Sequence, residues 1–170
     1  MIILSLGSNL QSKYGNRFNN LRFAMYFLEQ QGIKIDKKSS FYETESYPDK
    51  KNPKFINIVI SIKTDLLPIE LISTLITVEK KLDRKRYIKN DPRTCDIDII
   101  DYNSEVIDLK FENFDLTIPH KEMILRNFVL FPLQEIEPDW IHPKTKQIIS
   151  KLIKNLPDID RNSILKIKKD

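Results

Sequence analysis

The sequence predicts an α+β fold, an antiparallel sheet backed by helices, and three observations predict it. Apolar residues alternate along "FINIVISIKT" (55–64), with Ile56, Ile58, Ile60 and Ile62 on one face and Phe55, Asn57 and Val59 on the other, the period-two pattern of a strand. Two other stretches carry apolar residues three and four apart, the pattern of helices packed on one face. The segments follow in the order strand, helix, strand, strand, helix, strand.

Taken in order, residues 1–7 of "MIILSLGSNL" form a first strand; the run is short and lacks a basic flank, so it does not read as a signal peptide. In "FNNLRFAMYFLEQQG", Phe18, Leu21, Met25 and Leu28 recur at helical spacing, and Gly32 is placed to end that helix. "IKIDKKSSFYETES" reads as a second strand over 33–46, and "YPDKKNP" (47–53), with its two prolines, as a mobile loop before the third strand. Pro68 suits a first helical turn, and Leu71, Leu75, Val78 and Leu82, flanked by Ile69, Ile72 and Ile76, carry a second helix to about residue 83. A basic loop, "RKRYIKNDPR" (84–93), leads to a fourth strand, "CDIDIIDY". "FENFDLTIPHKEM" reads as irregular, and "ILRNFVLFPLQEI" and "KQIISKLIKNL" as additional C-terminal helices. The order β–α–β–β–α–β is that of a ferredoxin-like unit. No repeat, low-complexity tract or linker interrupts it, so residues 1–170 are read as one domain.

Composition narrows the function classes. The chain is 41% hydrophobic and 31% charged, ordinary for a folded soluble protein, and its net charge of +4 suits an anionic ligand but is too mild to argue for nucleic acid. Cys95 is the single cysteine, which excludes an internal disulfide and suits a reducing compartment; with no apolar run long enough for a bilayer, a cytoplasmic protein without membrane or nucleic-acid partners is expected. The three glycines are Gly7, Gly15 and Gly32, so neither glycine-rich phosphate loop, G-x-x-x-x-G-K-[ST] or G-x-G-x-x-G, is present. If a nucleotide binds, metal ions and arginines must hold its phosphates.

"DPRTCDIDII" (91–100) supplies such groups. Alternate positions on a strand put Asp96 and Asp98 on one face, roughly 6.5 Å apart along the chain, close enough for their carboxylates to converge on cations. Hard oxygen ligands favour Mg²⁺, which completes its shell with water and substrate phosphate; the alternative is an exposed strand face with two solvated acids. Arg84, Arg86, Lys89 and Arg93 lie just upstream, and guanidinium groups match phosphate oxygens in bidentate fashion, although a charge run is also what a solvated loop looks like. Phe55 and Asn57 share a strand face, a ring beside an amide suited to a planar heterocycle or, equally, to a core edge. His120, after Pro119, could contact phosphate or cap a helix, whereas Cys95, Trp140 and His142 read as packing or surface residues. A nucleotidyltransferase would place its Gly-Ser element about a dozen residues before D-x-D, and a ferredoxin-like RNA-binding module needs a glycine-bearing aromatic strand motif; neither is present.

Four co-linear blocks, "LGSNL" (6–10), "FINIVI" (55–60), "DPRTCDIDII" (91–100) and "LTIPHKEMILRNFVLFPLQEI" (116–136), resemble the 6-hydroxymethyl-7,8-dihydropterin pyrophosphokinase family. The resemblance implies the ferredoxin-like fold, with ATP and 6-hydroxymethyl-7,8-dihydropterin as substrates, two Mg²⁺ ions, a monomer, and release of AMP in folate biosynthesis. It implies Asp96 and Asp98 as metal ligands, Arg93 on the phosphates, and Arg84 and Arg86 in a loop closing over ATP. Glu79, Ile99, Thr117, His120, Lys121 and Arg126 fall at nucleotide-contacting positions. The pterin is expected between Phe55 and Phe128, with Asn57 reading its edge, Thr44, Glu45 and Ser46 completing the pocket, and Asp96 reaching it through metal. The family's usual Trp-Gly before Pro-Arg is Asn90-Asp91 here, its tyrosine after Pro-His is Lys121, its aromatic at the pterin face is Phe55 rather than tyrosine, and the stretch 109–115 is longer than usual. The changed loop raises the alternative of an inactive or weakly active member.

Overall fold

The computed structural model describes residues 1–47, 49–85, 91–110 and 115–167. Strand β1 (Ile2–Ser8) is buried along its whole length because it lies between β4 (Phe55–Lys63) and β5 (Asp96–Tyr102), antiparallel to both. On the other side of β4, its C-terminal half pairs with β2 (Lys34–Lys38) and its N-terminal half with β3 (Tyr42–Thr44). The sheet order is therefore β5-β1-β4-β3, the ferredoxin-like arrangement, with every pairing antiparallel.

Helix α1 (Arg17–Gln30) begins where the Asn16 side chain accepts from the Asn19 amide and ends before Gly32, whose φ of 78° only glycine adopts freely. Helix α2 (Pro68–Lys81) begins with Pro68 while the Glu70 carboxylate accepts from the Leu67 amide. Both helices cover one sheet face: Leu21, Leu28, Leu71, Leu75 and Val78 pack with Ile56, Ile58, Ile60 and Ile62 in a single apolar cluster. The other face is covered too. Helix α3 (Asn127–Ile136) and helix α4 (Ile149–Asn155) set Val129, Leu130, Leu133 and Leu152 against Ile3, Val59 and Ile100.

A bulge in β5 turns Tyr102 into the α1–α2 layer and Asp101 toward Trp140 of the other layer. Ile3 pairs with Asp101 and Leu4 with Ile99, so Ile100 is the extra residue. Ile100 joins the α3–α4 layer while Ile97 and Ile99 stay in the α1–α2 layer.

Three segments differ from expectation. The stretch 33–46 is not one strand: from Lys38 to Tyr42 the chain advances four residues while its partner advances three, from Ile60 to Asn57, and Ser39 fills the break by accepting from the Val59 amide. The stretch expected to be irregular contributes β7 (Asp115–Ile118), paired with β6 (Ile107–Lys110); its alternation of buried Leu116 and Ile118 is too short to stand out before Pro119. Past α4, the short helix α5 (Asp158–Asn162) and β8 (Leu165–Lys166), which adds to the edge of β3, are below the length at which periodicity can be read. No described helix is long and apolar enough to cross a membrane.

Candidate active site

The sheet register assembles the site. In one cross-strand row Asn57 faces Gly7, which faces Asp96; two pairs further along, Val59 faces Ser5, which faces Asp98. Alternation therefore points Phe55, Asn57, Asp96 and Asp98 to the same side of the sheet. The α3–α4 layer covers Val59 on that side, and beyond it an open cleft of about 1020 Å³ carries these four side chains together with Phe128 and Arg126. Gly7 leaves the cleft its floor: a Cβ there would stand 3.1 Å from Asn57 Oδ1 and 3.5 Å from the Phe55 ring.

Around Asp96 the charges are tightly paired. Arg84 Nη1 donates to Asp96 Oδ1 at 2.5 Å and also to Glu79, while Arg93 Nε stands 2.8 Å from Asp96 Oδ2. Glu79, itself 2% exposed, accepts from the Ile97 amide at 2.8 Å, tying α2 to the start of β5. Burial opposes the charge on Arg84, but Asp96 and Glu79 outweigh it and hold its pKa above the ordinary value. Arg126 pairs with Asp98 at 3.4 Å and with Glu122 at 2.6 Å. Burial, and then the neighbouring charge of Asp96, raise the pKa of Asp98 above the usual carboxylate value, although His120, Arg126 and Arg84 counteract. Two carboxylates that destabilise each other's charge favour a cation between them.

The apolar end is built from two elements. Phe55 begins β4 and pairs across to Thr44 on β3; Phe128 sits in the first turn of α3. Each ring has a guanidinium over it, Arg93 at 5.1 Å from the Phe55 centroid and Arg126 at 5.7 Å from that of Phe128. Asn57 Nδ2 donates to Thr44 Oγ1 at 3.0 Å, which fixes the amide in the floor of the cleft, and Glu45 and Ser46 continue the rim.

Of the residues expected from the sequence, the cleft gathers Thr44, Glu45, Ser46, Phe55, Asn57, Arg84, Arg93, Asp96, Asp98, His120, Arg126 and Phe128. Arg86 and Asn90 lie outside the described residues. Asp91, the other half of the changed pair, lines the cleft. Glu79 stands behind Asp96, with Arg84 between it and the cleft wall. The side chain of Ile99 is buried in the α1–α2 layer, Thr117 donates to Asp108 at 3.0 Å on the β6–β7 hairpin, and the exposed Lys121 does not line the cleft.

Sequence reasoning missed Asn9 and Asn20. Asn9 accepts from the Arg93 amide at 2.6 Å and donates to Ser46 Oγ and the Pro53 carbonyl, so it joins the loops at the two ends of the cleft. Asn20 Nδ2 donates to Ser8 Oγ and to the carbonyls of Leu10 and Thr94. The signal available was a Gly-Ser-Asn run ending a largely apolar strand, a place where a buried amide must satisfy loop backbone. Cys95, Trp140 and His142 are buried packing residues as expected; burial and nearby acids push the Cys95 thiol pKa up, away from nucleophile chemistry.

A ferredoxin-like sheet that carries paired carboxylates ringed by arginines, with two phenylalanines lining the same cleft, defines a class: an α+β protein with a charged and aromatic cleft at one end of its sheet. Comparison with known proteins narrows the class. The model of the 7,8-dihydro-6-hydroxymethylpterin-pyrophosphokinase family matches residues 3–138. Proteins named 2-amino-4-hydroxy-6-hydroxymethyldihydropteridine pyrophosphokinase are similar: one from Aquifex aeolicus is 39% identical, the match covering 84% of this chain and 83% of that protein, and one from Synechocystis is 37% identical over 91% and 75%. The folic acid synthesis protein fol1 of Pneumocystis carinii is 35% identical over 96% of this chain, which spans only 21% of that longer protein. Among solved structures, the wild-type HPPK-DHPS of Plasmodium falciparum matches in fold, with a TM-score of 0.77 at 17% identity, covering 99% of this chain and 48% of that one. The chain belongs to the 7,8-dihydro-6-hydroxymethylpterin-pyrophosphokinase family.

Proposed function

We propose that the cleft transfers pyrophosphate from ATP to the hydroxymethyl group of 6-hydroxymethyl-7,8-dihydropterin, releasing AMP, as a step of folate biosynthesis. One observation carries the assignment to this cleft: the Asp96–Gly7–Asn57 row joins a metal-and-phosphate end to a heterocycle end across three adjacent strands. The substrate oxygen attacks the β-phosphorus, the bond from that phosphorus to the α-phosphate oxygen breaks, and the hydroxyl proton leaves to solvent.

Asp96 and Asp98 would hold two Mg²⁺ ions in this reading; Mg²⁺ is usually bound by one or two carboxylates together with water and substrate phosphate, which suits a site where no third His, Cys, Asp or Glu joins the pair among the described residues. When bound, the metal neutralises phosphate charge at the reacting centre. Arg84, Arg93 and Arg126 already stand at the carboxylates and present their remaining donors to phosphate oxygens, with Glu79 orienting Arg84. His120 borders the nucleotide end. Phe55 and Phe128 sandwich the pterin, and the Asn57 amide reads its edge while Thr44 holds that amide in place. These residues orient two substrates and stabilise developing charge, with no covalent step on the protein. A monomer is the working unit in this reading, and a buried Cys95 suits the cytoplasm. The similarity to proteins named as pyrophosphokinases supports an active member over an inactive one.

The test is AMP formation by purified protein with ATP, Mg²⁺ and 6-hydroxymethyl-7,8-dihydropterin. AMP dependent on both pterin and metal is expected; ADP in its place would put the attack at the wrong phosphorus and overturn the reading.

A further inference from the structure

The C-terminal segment lies past the residues matched by the family model, yet it borders the cleft. Helix α5 and β8 grip both aromatic walls at once. On one side, β8 extends the sheet: Lys166 pairs with Tyr42 and Leu165 with Glu43, and the Ile167 amide donates to the Phe41 carbonyl at 2.8 Å. Glu135 of α3 strengthens that junction, accepting from Tyr42 Oη at 2.8 Å and pairing with Lys166 at 3.3 Å. On the other side Asn127, next to Phe128 and only 8% exposed, donates to the Asp160 carbonyl at 2.6 Å and to Ser163 Oγ at 3.1 Å. The wall bearing Phe55 and the wall bearing Phe128 are therefore tied by one strap. The strap presents Ile159, 68% exposed, to the cleft. A large aliphatic side chain in the mouth of a cleft gains by being covered.

We infer that Ile159 is a substrate-contact residue that closes the pterin end of the cleft, and that Asn127 is a positioning residue that holds it there. The inference rests on the reading of the cleft given above. The pterin rather than ATP is the partner because the strap joins the sheet at the β3 edge, next to Thr44 and Phe55, and holds Asn127 beside Phe128, whereas Asp96, with Arg84 and Arg93 paired to it, lies on β5 at the opposite edge of the sheet. A flat heterocycle held between two rings has an open edge, and an aliphatic side chain there excludes water without competing for its polar groups.

The test uses the full chain and steady-state AMP formation, varying each substrate with the other saturating. Ile159→Ala should raise the KM for the pterin roughly 5- to 10-fold, the size expected for losing most of one aliphatic contact, while the KM for ATP and kcat stay within about twofold. Ile159→Leu should restore the pterin KM. Asn127→Ala should raise the pterin KM in the same way without lowering kcat, a split that a fall in folded fraction cannot produce. An unchanged pterin KM in either alanine variant overturns the inference, and so does a rise confined to the KM for ATP. Wild-type protein run alongside separates the two levels: absence of pterin-dependent AMP there removes the functional reading, and this inference with it, whereas normal wild-type turnover with unaffected variants removes the strap alone.

Discussion

In the proposed reaction most depends on Asp96 and Asp98. Each is half-buried and opposed by arginine, so replacing the carboxylate by its amide keeps shape and loses a charged cation ligand. Asp96→Asn and Asp98→Asn should each lower kcat by about two orders of magnitude or more, with a far-UV circular dichroism spectrum unchanged from wild type; near-normal turnover in both would refute the metal assignment. Gly7 acts by absence. Its missing Cβ would press on Asn57 Oδ1 at 3.1 Å and on Phe55, two groups assigned to the pterin. Gly7→Ala should weaken pterin binding roughly tenfold and leave ATP binding unchanged, measured by titration calorimetry with each ligand. At this scale the sequence was informative wherever chemistry dictates residue type: paired acids and nearby arginines announce themselves. It was silent on Asn9 and Asn127, because a buried amide satisfying distant backbone has no local pattern.

Elements were legible in proportion to their length. The alternation in β4 and the wide apolar stripe of α2 sit close to where they were expected, 55–63 and 68–81, since each buries a face long enough to leave a period. The break after Lys38, the β6–β7 hairpin and the α5–β8 strap are decided by pairing partners far along the chain. The turn after α3 offers an element-scale test. His142 is buried beside Trp140, and its Nδ1 accepts from the amides of Lys144 and Thr145, each at 3.1 Å. Burial lowers its pKa below the usual 6.5, so the imidazole stays neutral in the fold. Above that pH neither state carries the proton and nothing is lost; as pH falls through 6.5 the unfolded chain takes up a proton that the folded one refuses, and stability drops. Urea midpoints measured from pH 7.5 to 5 should therefore fall more steeply for wild type than for His142→Gln, and parallel slopes would contradict the assignment.

Across the whole molecule the sheet is a wall between two cores, and the cleft exists because the second is shorter than the first. The α1–α2 layer runs the length of β4, from Ile56 to Ile62, whereas the α3–α4 layer covers Ile3, Val59 and Ile100 and stops short of the row holding Asp96 and Asn57. Leu133→Ala, in the second core and fully buried, should cost about 2–5 kcal/mol of unfolding free energy in urea titration, with the KM for both substrates preserved in the folded fraction because Leu133 does not border the cleft. A loss of affinity without loss of stability would mean that this layer shapes the site directly.

By itself the sequence determined the class of fold, the order of the main elements, the family, and the placement of the acidic pair on one strand face, because those are written in period, spacing and residue type within short windows. Tertiary structure alone decided which expected residues meet. Register across β4, β1 and β5 brought Asn57, Gly7 and Asp96 into one row, a bulge at Ile100 turned Tyr102 back into the α1–α2 core, and Ile99 and Thr117 turned to other surroundings. The physical reason is that a strand's own sequence specifies its two faces but not its neighbours: pairing is set by long-range hydrogen bonds and by what each face can bury, and those depend on the whole chain.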